Sequence, residues 1–340
     1  FLAACFILGF LVLKTVVRGR RIRTIITVIV CSGVFQALYG FFELHRDSPR
    51  LLFYKKTFHP DLVTGTFVNR NHFSGYLEMV IPLALGLVLA RTNLLSFDAD
   101  GFREKFLLWT SKEGLGNVLV LASVVVMALG IVMSNSRSGL AVLCLILFLF
   151  LGLSVFSYSQ TGYRRPWIGK SIQATVLVAT ALAIYIGVGS TIKRFDRDDL
   201  LRAARPVYWA ASADIVRDFP LFGTGLGTFA SAYNAYEKWS GNEKRLVHAH
   251  NDYLEAVAEL GFVGGIILIG GILYLATQAF LVWRKRRDAQ ARGLALGGLV
   301  SLAGMGVHAF TDFDLHIPAN MVLFTVTLCL TVAMAFYRKT

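Results

Sequence analysis

LGNVLVLASVVVMALGIVMSNSRSGLAVLCLILFLFLGLSVFSY, residues 115–158, decides the architecture. It consists of two apolar runs around a short polar break, and its one formal charge is Arg137. A helix of about 20 apolar residues crosses the hydrocarbon layer of a bilayer. Residues 115–134 and 138–158 therefore read as two spans joined by a tight turn at 134–137. The same reading outward adds 1–17, 22–42, 72–90, 171–189, 261–283, 292–311 and 317–337, nine spans in all. The span 72–90 is the least clean, because it contains Glu78 and Pro82.

Composition agrees. Of 340 residues, 55% are hydrophobic and only 16% charged, with a mean hydropathy of +0.59. Soluble domains carry about 25% charged residues. An ordinary cytosolic enzyme, a secreted disulfide scaffold and a disordered chain are excluded, and an all-α polytopic membrane protein is expected. The net charge of +13 does not indicate nucleic-acid binding. The basic residues are dispersed in short loops between apolar runs, as membrane topology and contact with anionic membrane lipids require. Cys5, Cys31, Cys144 and Cys329 each lie in an apolar run and show neither disulfide nor zinc spacing. The chain opens at Phe1 inside an apolar run, so further helices are expected before it.

If the spans alternate, the Lys/Arg-rich segments RGRRIR (18–23), 91–114, 159–170 and RKRRDAQAR (284–292) share one side, which the positive-inside rule makes cytoplasmic. The expected organisation is six spans over 1–189, an outer hydrophilic loop with short helices over 190–249, and three spans over 250–340. All seven histidines (His45, His59, His72, His248, His250, His308 and His316) then fall at the opposite, outer face. Polar chemistry is concentrated there.

HNDYLEAVAELGFVGG starts at His250. Asp252, Glu255 and Glu259 share one helix face, so the helix begins amphipathic and turns apolar after Gly261. A neutral imidazole at its start is a candidate proton acceptor, and the plainer reading is a capping histidine. Arg137 is either a snorkelling charge or a fixed cation for a phosphate. Arg205 in RAARPVYW and Arg70 in FVNRNHFSG are outer arginines beside aromatic residues; a solvated charge and a phosphate contact both fit. Tyr208, with Trp209, Tyr233, Tyr236 and Trp239, suits an interfacial aromatic layer. GTGLGTF at 223–229 reads as a tight turn after Pro220 or as a nest of N–H groups for an anion. FDRDD at 195–199 places Asp196, Asp198 and Asp199 among arginines, which favours salt bridging or helix capping over metal binding. His248 and His250 form an H-x-H pair without an evident third ligand, so no metal is expected. On the turn before the last span, His308, Asp312, Asp314 and His316 come together. There Asp312 either orients a histidine or caps the following helix.

These segments resemble the O-antigen ligase and polymerase family of bacterial inner-membrane glycan enzymes. The resemblance rests on GTFVNRNHFSGYLEMVIPLALG (65–86), SNSRSGLAVL (134–143), RPVYWAASADIVRDFPLFGTGLGTF (205–229) and HAHNDYLEAVAELGFVGG (248–265). The last matches the ligase pattern of His, Asn, nine residues, Gly, two residues, Gly at His250, Asn251, Gly261 and Gly264. The resemblance implies a helical bundle of the C superfamily of glycosyltransferases with a large periplasmic loop. The implied donor is a glycan on undecaprenyl pyrophosphate, and the implied acceptor is lipid A-core for a ligase or another lipid-linked glycan for a polymerase. No metal or cofactor is implied. His250 matches the family's essential histidine and Arg137 and Arg205 its periplasmic-side arginines; these two, with Arg70, are the expected pyrophosphate-binding residues. Asn251, Tyr208, His308 and Asp312 are the expected supporting residues. The expected reaction is an in-line, inverting transfer at the periplasmic face of the inner membrane. A polysaccharide transporter without chemistry is the competing class, but it predicts internal repeats and mid-membrane ionisable groups that this sequence lacks apart from Glu78.

Overall fold

The computed structural model describes residues 1–16, 18–92, 110–161, 199–237 and 246–336, together with 174, 177 and 181. The described chain is helical apart from one two-stranded ribbon. In order it runs α1 (Leu2–Thr15), α2 (Gly19–Leu44), β1 (Arg50–Leu51), β2 (Tyr54–Lys55), α3 (Arg70–Thr92), α4 (Lys112–Ser134) and α5 (Arg137–Thr161). Then come α6 (Asp199–Asp218), α7 (Phe229–Tyr233), α8 (Asp252–Lys285), α9 (Ala289–His308), a 3-10 turn (Asp314–His316) and α10 (Pro318–Phe336). The strands pair antiparallel, Arg50 opposite Lys55.

Each expected span other than 171–189 coincides with a described helix; apart from 174, 177 and 181, residues 171–189 lie outside the described residues. Among the described residues, six helices, α2–α5, α8 and α10, are long and apolar enough to cross a bilayer. Phe6, Phe10, Val28, Leu119, Phe148, Ile266, Ile267 and Leu273 are exposed on these helices and on α1. So much outward apolar surface is what a lipid-facing belt requires, and the chain is a multi-pass membrane protein.

The least clean span is the innermost. Along α3, Phe73, Leu77, Met79, Val80, Ile81, Ala84 and Leu85 have no exposure. Its broadest contact is with α9, which is rich in glycine and alanine. A Cβ placed on Gly297 would lie 2.5 Å from the Pro82 carbonyl oxygen, and one on Gly86 2.7 Å from the Gly293 oxygen. With lipid outside as apolar as the core, such backbone-to-backbone approach is the main source of helix association.

The break at SNSRSG has local causes. Asn135 takes the left-handed conformation at φ 57° and ends α4, its N–H bonding the Val132 carbonyl. Ser136 then starts α5, its hydroxyl accepting the Gly139 N–H at 3.1 Å. This two-residue hinge places the end of α4 beside the start of α3, where Ser74 and Ser134 hydroxyls bond at 3.0 Å. The starts of α3, α5, α8 and α10 and the ends of α4 and α9 all meet at this rim. At the opposite end, in the basic 284–292 segment, the Trp283 indole N–H donates to the Arg292 carbonyl at 3.0 Å and Arg286 Nε to the Ala335 carbonyl at 2.8 Å.

Candidate functional site

The site is built on the first turn of α8. Asn251 caps that helix, its side-chain oxygen accepting the N–H groups of Tyr253 and Leu254 at 3.1 and 3.0 Å. Capping is thus Asn251's task, which leaves the His250 imidazole for other work. His250 has φ 52°, in the left-handed region that non-glycine residues rarely occupy. Its Nδ1 lies 2.9 Å from Asp312 Oδ1.

Asp312 is fully buried. Oδ1 also accepts the Phe313 N–H at 3.0 Å and lies 3.8 Å from His72 Nε2. Oδ2 accepts the Asn71 side-chain amide. Burial alone raises the carboxyl's pKa, but hydrogen bonds and charge from His250 and His72 outweigh it and hold the group well below the usual carboxylate range. An ionised Asp312 keeps the His250 proton on Nδ1 and leaves the lone pair on Nε2, a tautomer inferred from the partner. The His250 side chain is 29% exposed, so the ring is accessible from outside the fold. Of the two roles open to Asp312, orienting a histidine is the one built; α10 starts only at Pro318.

Each of the three arginines borders this unit through a neighbour. Arg70 opens α3 one residue before Asn71. Arg137 opens α5 directly after Ser136, whose hydroxyl donates to Asn71 Oδ1 at 2.8 Å. Arg205 lies one helical turn before Trp209 on α6, and the Trp209 indole N–H donates to the Ala249 carbonyl at 3.1 Å, next to His250. All three arginines are half-buried. The four segments that carry the family resemblance therefore meet around His250. Asn71 and His72 were not singled out in the sequence, although they sit beside Arg70 at the start of a buried helix.

Other expected residues have different tasks. Tyr208 meets Tyr233 edge-on at 6.3 Å and packs against a small core of Ala211, Ile215, Phe229, Ala249 and Ala258. His308 is fully buried; its Nδ1 lies 2.8 Å from Glu78 Oε2 and its Nε2 3.4 Å from Asp314 Oδ2. It answers the charge of the one acid within α3 and has no hydrogen bond to His250 among those seen. Asp314 is fully buried and accepts the Asn320 amide at 3.1 Å. Burial, with Asp312 and Glu78 nearby, pushes its carboxyl well above the usual range despite His308. Asp196, Asp198 and Trp239 lie outside the described residues.

The glycine turn is an anion nest filled by the protein itself. Gly223, Gly225 and Gly227 all have positive φ. The N–H groups of Gly227 and Phe229 both donate to the Glu259 carboxylate at 2.9 Å. Nearby, α8 breaks at Gly261, φ 65° and ψ −176°. The Pro220 and Leu221 carbonyls accept the N–H groups of Phe262 and Val263 at 2.7 and 3.2 Å. No side chain fits there, because a Cβ on Gly261 would lie 2.3 Å from Leu221 backbone atoms.

The H-x-H pair is split. Both rings touch Phe313, His248 stacked at 4.3 Å and His250 edge-on at 4.9 Å. While His250 takes Asp312, His248 Nδ1 lies 2.7 Å from Glu255 Oε1. His316 lies between Asp252 and Glu255, at 2.7 and 3.3 Å. Burial opposes its charging, but those two carboxylates prevail and raise its pKa above the ordinary histidine value. The expected helix face of Asp252, Glu255 and Glu259 is real, and all three are buried.

These features define a polytopic membrane protein with a histidine–carboxylate site at the rim where its helix ends meet. Residues 122–269 match the family model described as O-antigen ligase, a stretch that includes Arg137, Arg205 and His250. The chain is similar to the exopolysaccharide production protein ExoQ of Rhizobium meliloti (strain 1021), with 23% identity over 279 residues. That alignment covers 79% of this chain and 60% of the relative, so the chain spans well under the relative's full length. The resemblance to the O-antigen ligase and polymerase family is borne out.

Proposed function

We propose that this protein is a membrane glycosyltransferase that moves a glycan from undecaprenyl pyrophosphate to an acceptor hydroxyl at the periplasmic face of the bacterial inner membrane. The observation that carries the reading is the His250 Nδ1 to Asp312 Oδ1 contact of 2.9 Å, made to a buried, ionised carboxylate. As the acceptor oxygen attacks the anomeric carbon, His250 Nε2 takes its proton. The bond from that carbon to the pyrophosphate oxygen breaks on the opposite side, so the configuration inverts. Arg137 and Arg205, with Arg70, balance the charge that grows on the departing diphosphate. A positioned base supplies roughly 10²–10⁴-fold in rate. Preorganised cations on the leaving group add about 3 kcal/mol each. The chemical step needs no metal or other cofactor.

The acceptor has two readings, lipid A-core for a ligase and a lipid-linked glycan for a polymerase. The relative named for exopolysaccharide production favours the second. Purified protein with lipid-linked glycan and each acceptor in turn tests both readings. Transfer to lipid A-core identifies a ligase, and lengthened lipid-linked chains identify a polymerase. Wild-type transfer by a folded His250→Ala variant would overturn the mechanism. Uptake of glycan without bond formation would favour a transporter.

A further inference from the structure

His248, Glu255 and His316 bring three ligand atoms within 4.8 Å of one another. Their surroundings fix how each is presented. The Oε2 of Glu255 is taken by the Ala249 N–H at 2.8 Å, which leaves Oε1 to face both imidazoles. The Nδ1 of His316 is taken by Asp252 Oδ1 at 2.7 Å, and Asp252 Oδ2 is itself held by the Leu315 N–H at 3.0 Å. With Nδ1 on the Asp252 side, His316 directs Nε2 toward Glu255 Oε1 at 3.3 Å. The position between them suits either a proton on His316 or a metal ion that displaces it.

The donor set selects the kind of cation. Two imidazoles and one carboxylate are ligands for zinc and its neighbours rather than for magnesium or calcium. In a tetrahedral zinc site with bonds of about 2.0–2.1 Å, neighbouring donors stand roughly 3.3 Å apart. The His316–Glu255 pair already has that spacing, and the 2.7 Å His248–Glu255 contact needs only to open slightly. A carboxylate on the second nitrogen of a ligating histidine is the usual outer partner of a zinc site, and Asp252 occupies that place. The two histidine side chains are 25% and 30% exposed, so the cluster is not sealed from solvent.

We propose that His248, Glu255 and His316 form a binding site for a divalent transition metal of the zinc type, with Asp252 orienting His316. The site would tie the first turn of α8 to the 314–316 turn. It would thereby fix Phe313, against which His250 also packs. The inference stands apart from glycosyl transfer, because no reacting atom is assigned to the metal and its test measures binding alone.

The test uses the full chain in detergent, stripped with chelator, titrated calorimetrically with ZnCl2, then desalted and assayed for zinc. One zinc retained per chain is expected. Asp252→Asn should weaken affinity roughly 10- to 100-fold. Glu255→Gln and, as a second route should that variant not fold, the His248→Asn/His316→Asn double variant should retain none. His250→Asn should bind as wild type, since that side chain serves Asp312. No zinc retained by the wild type would overturn the proposal. So would equal retention by the wild type and the ligand variants, which would mark adventitious binding.

Discussion

Replacing Asp312 by Asn keeps the shape of the site and removes its charge. The wild-type carboxylate accepts the His250 proton at 2.9 Å from a position with no solvent exposure. A hydrogen bond to a charged group contributes about 1.5–3 kcal/mol, and about 1.4 kcal/mol is tenfold in rate. Loss of that bond alone should therefore lower kcat roughly 10- to 150-fold. The amide can also present its NH2 to Nδ1, which moves the imidazole proton to Nε2 and removes the base; the equivalent swap in a serine-protease triad costs about 10⁴ in kcat. The expected fall thus lies between those limits, with KM for the lipid-linked donor nearly unchanged. The assay is steady-state transfer from a fluorescent lipid-linked glycan in detergent micelles, with kcat and KM resolved separately. A folded Asp312→Asn variant with wild-type kcat, or with a defect confined to KM, would refute the argument that this carboxylate sets the state of His250.

Three further outcomes are expected. Glu259→Ala leaves the Gly227 and Phe229 N–H groups without their acceptor; a loss of about 2–5 kcal/mol should appear as a lower melting temperature and faster proteolysis between 219 and 229. Gly297→Leu should abolish the folded, monodisperse protein on size exclusion, since the new side chain meets the Pro82 carbonyl, whereas Gly152→Leu, with nothing within 4 Å, should behave as wild type. The Asp312 carboxyl is depressed below its ordinary 3.8 in the folded state, so its stabilisation is fully present above that value and lost as pH falls through the folded one. Melting curves below about pH 4 should accordingly fall more steeply for wild type than for Asp312→Asn.

The helices were legible because a bilayer demands long apolar runs and tolerates little else. The turn at Asn135 and Ser136 was legible in the same way, from one residue suited to the left-handed conformation and one suited to capping. His250 and Asp312 could be named as candidates, but their pairing could not, since 62 residues separate them. The Glu78–His308 pair spans 230 positions. It had a usable signal: an acid inside one apolar run requires a partner, and a histidine stood at the end of another. The glycine turn was legible as a turn or an anion nest, but the anion, Glu259, was not, because it comes 30 residues after Phe229 on a helix face that looked merely polar. His248 and His250 looked like one pair because alternation in sequence hides the left-handed backbone that sends them to different carboxylates.

The break at Gly261 has a mechanical consequence. The lower half of that long helix borrows its missing acceptors from residues 220–221, and the upper half lends its acid to residues 227–229. The strap outside the membrane therefore splints the fracture. Any displacement of the strap thus bears on the helix whose first turn follows His250.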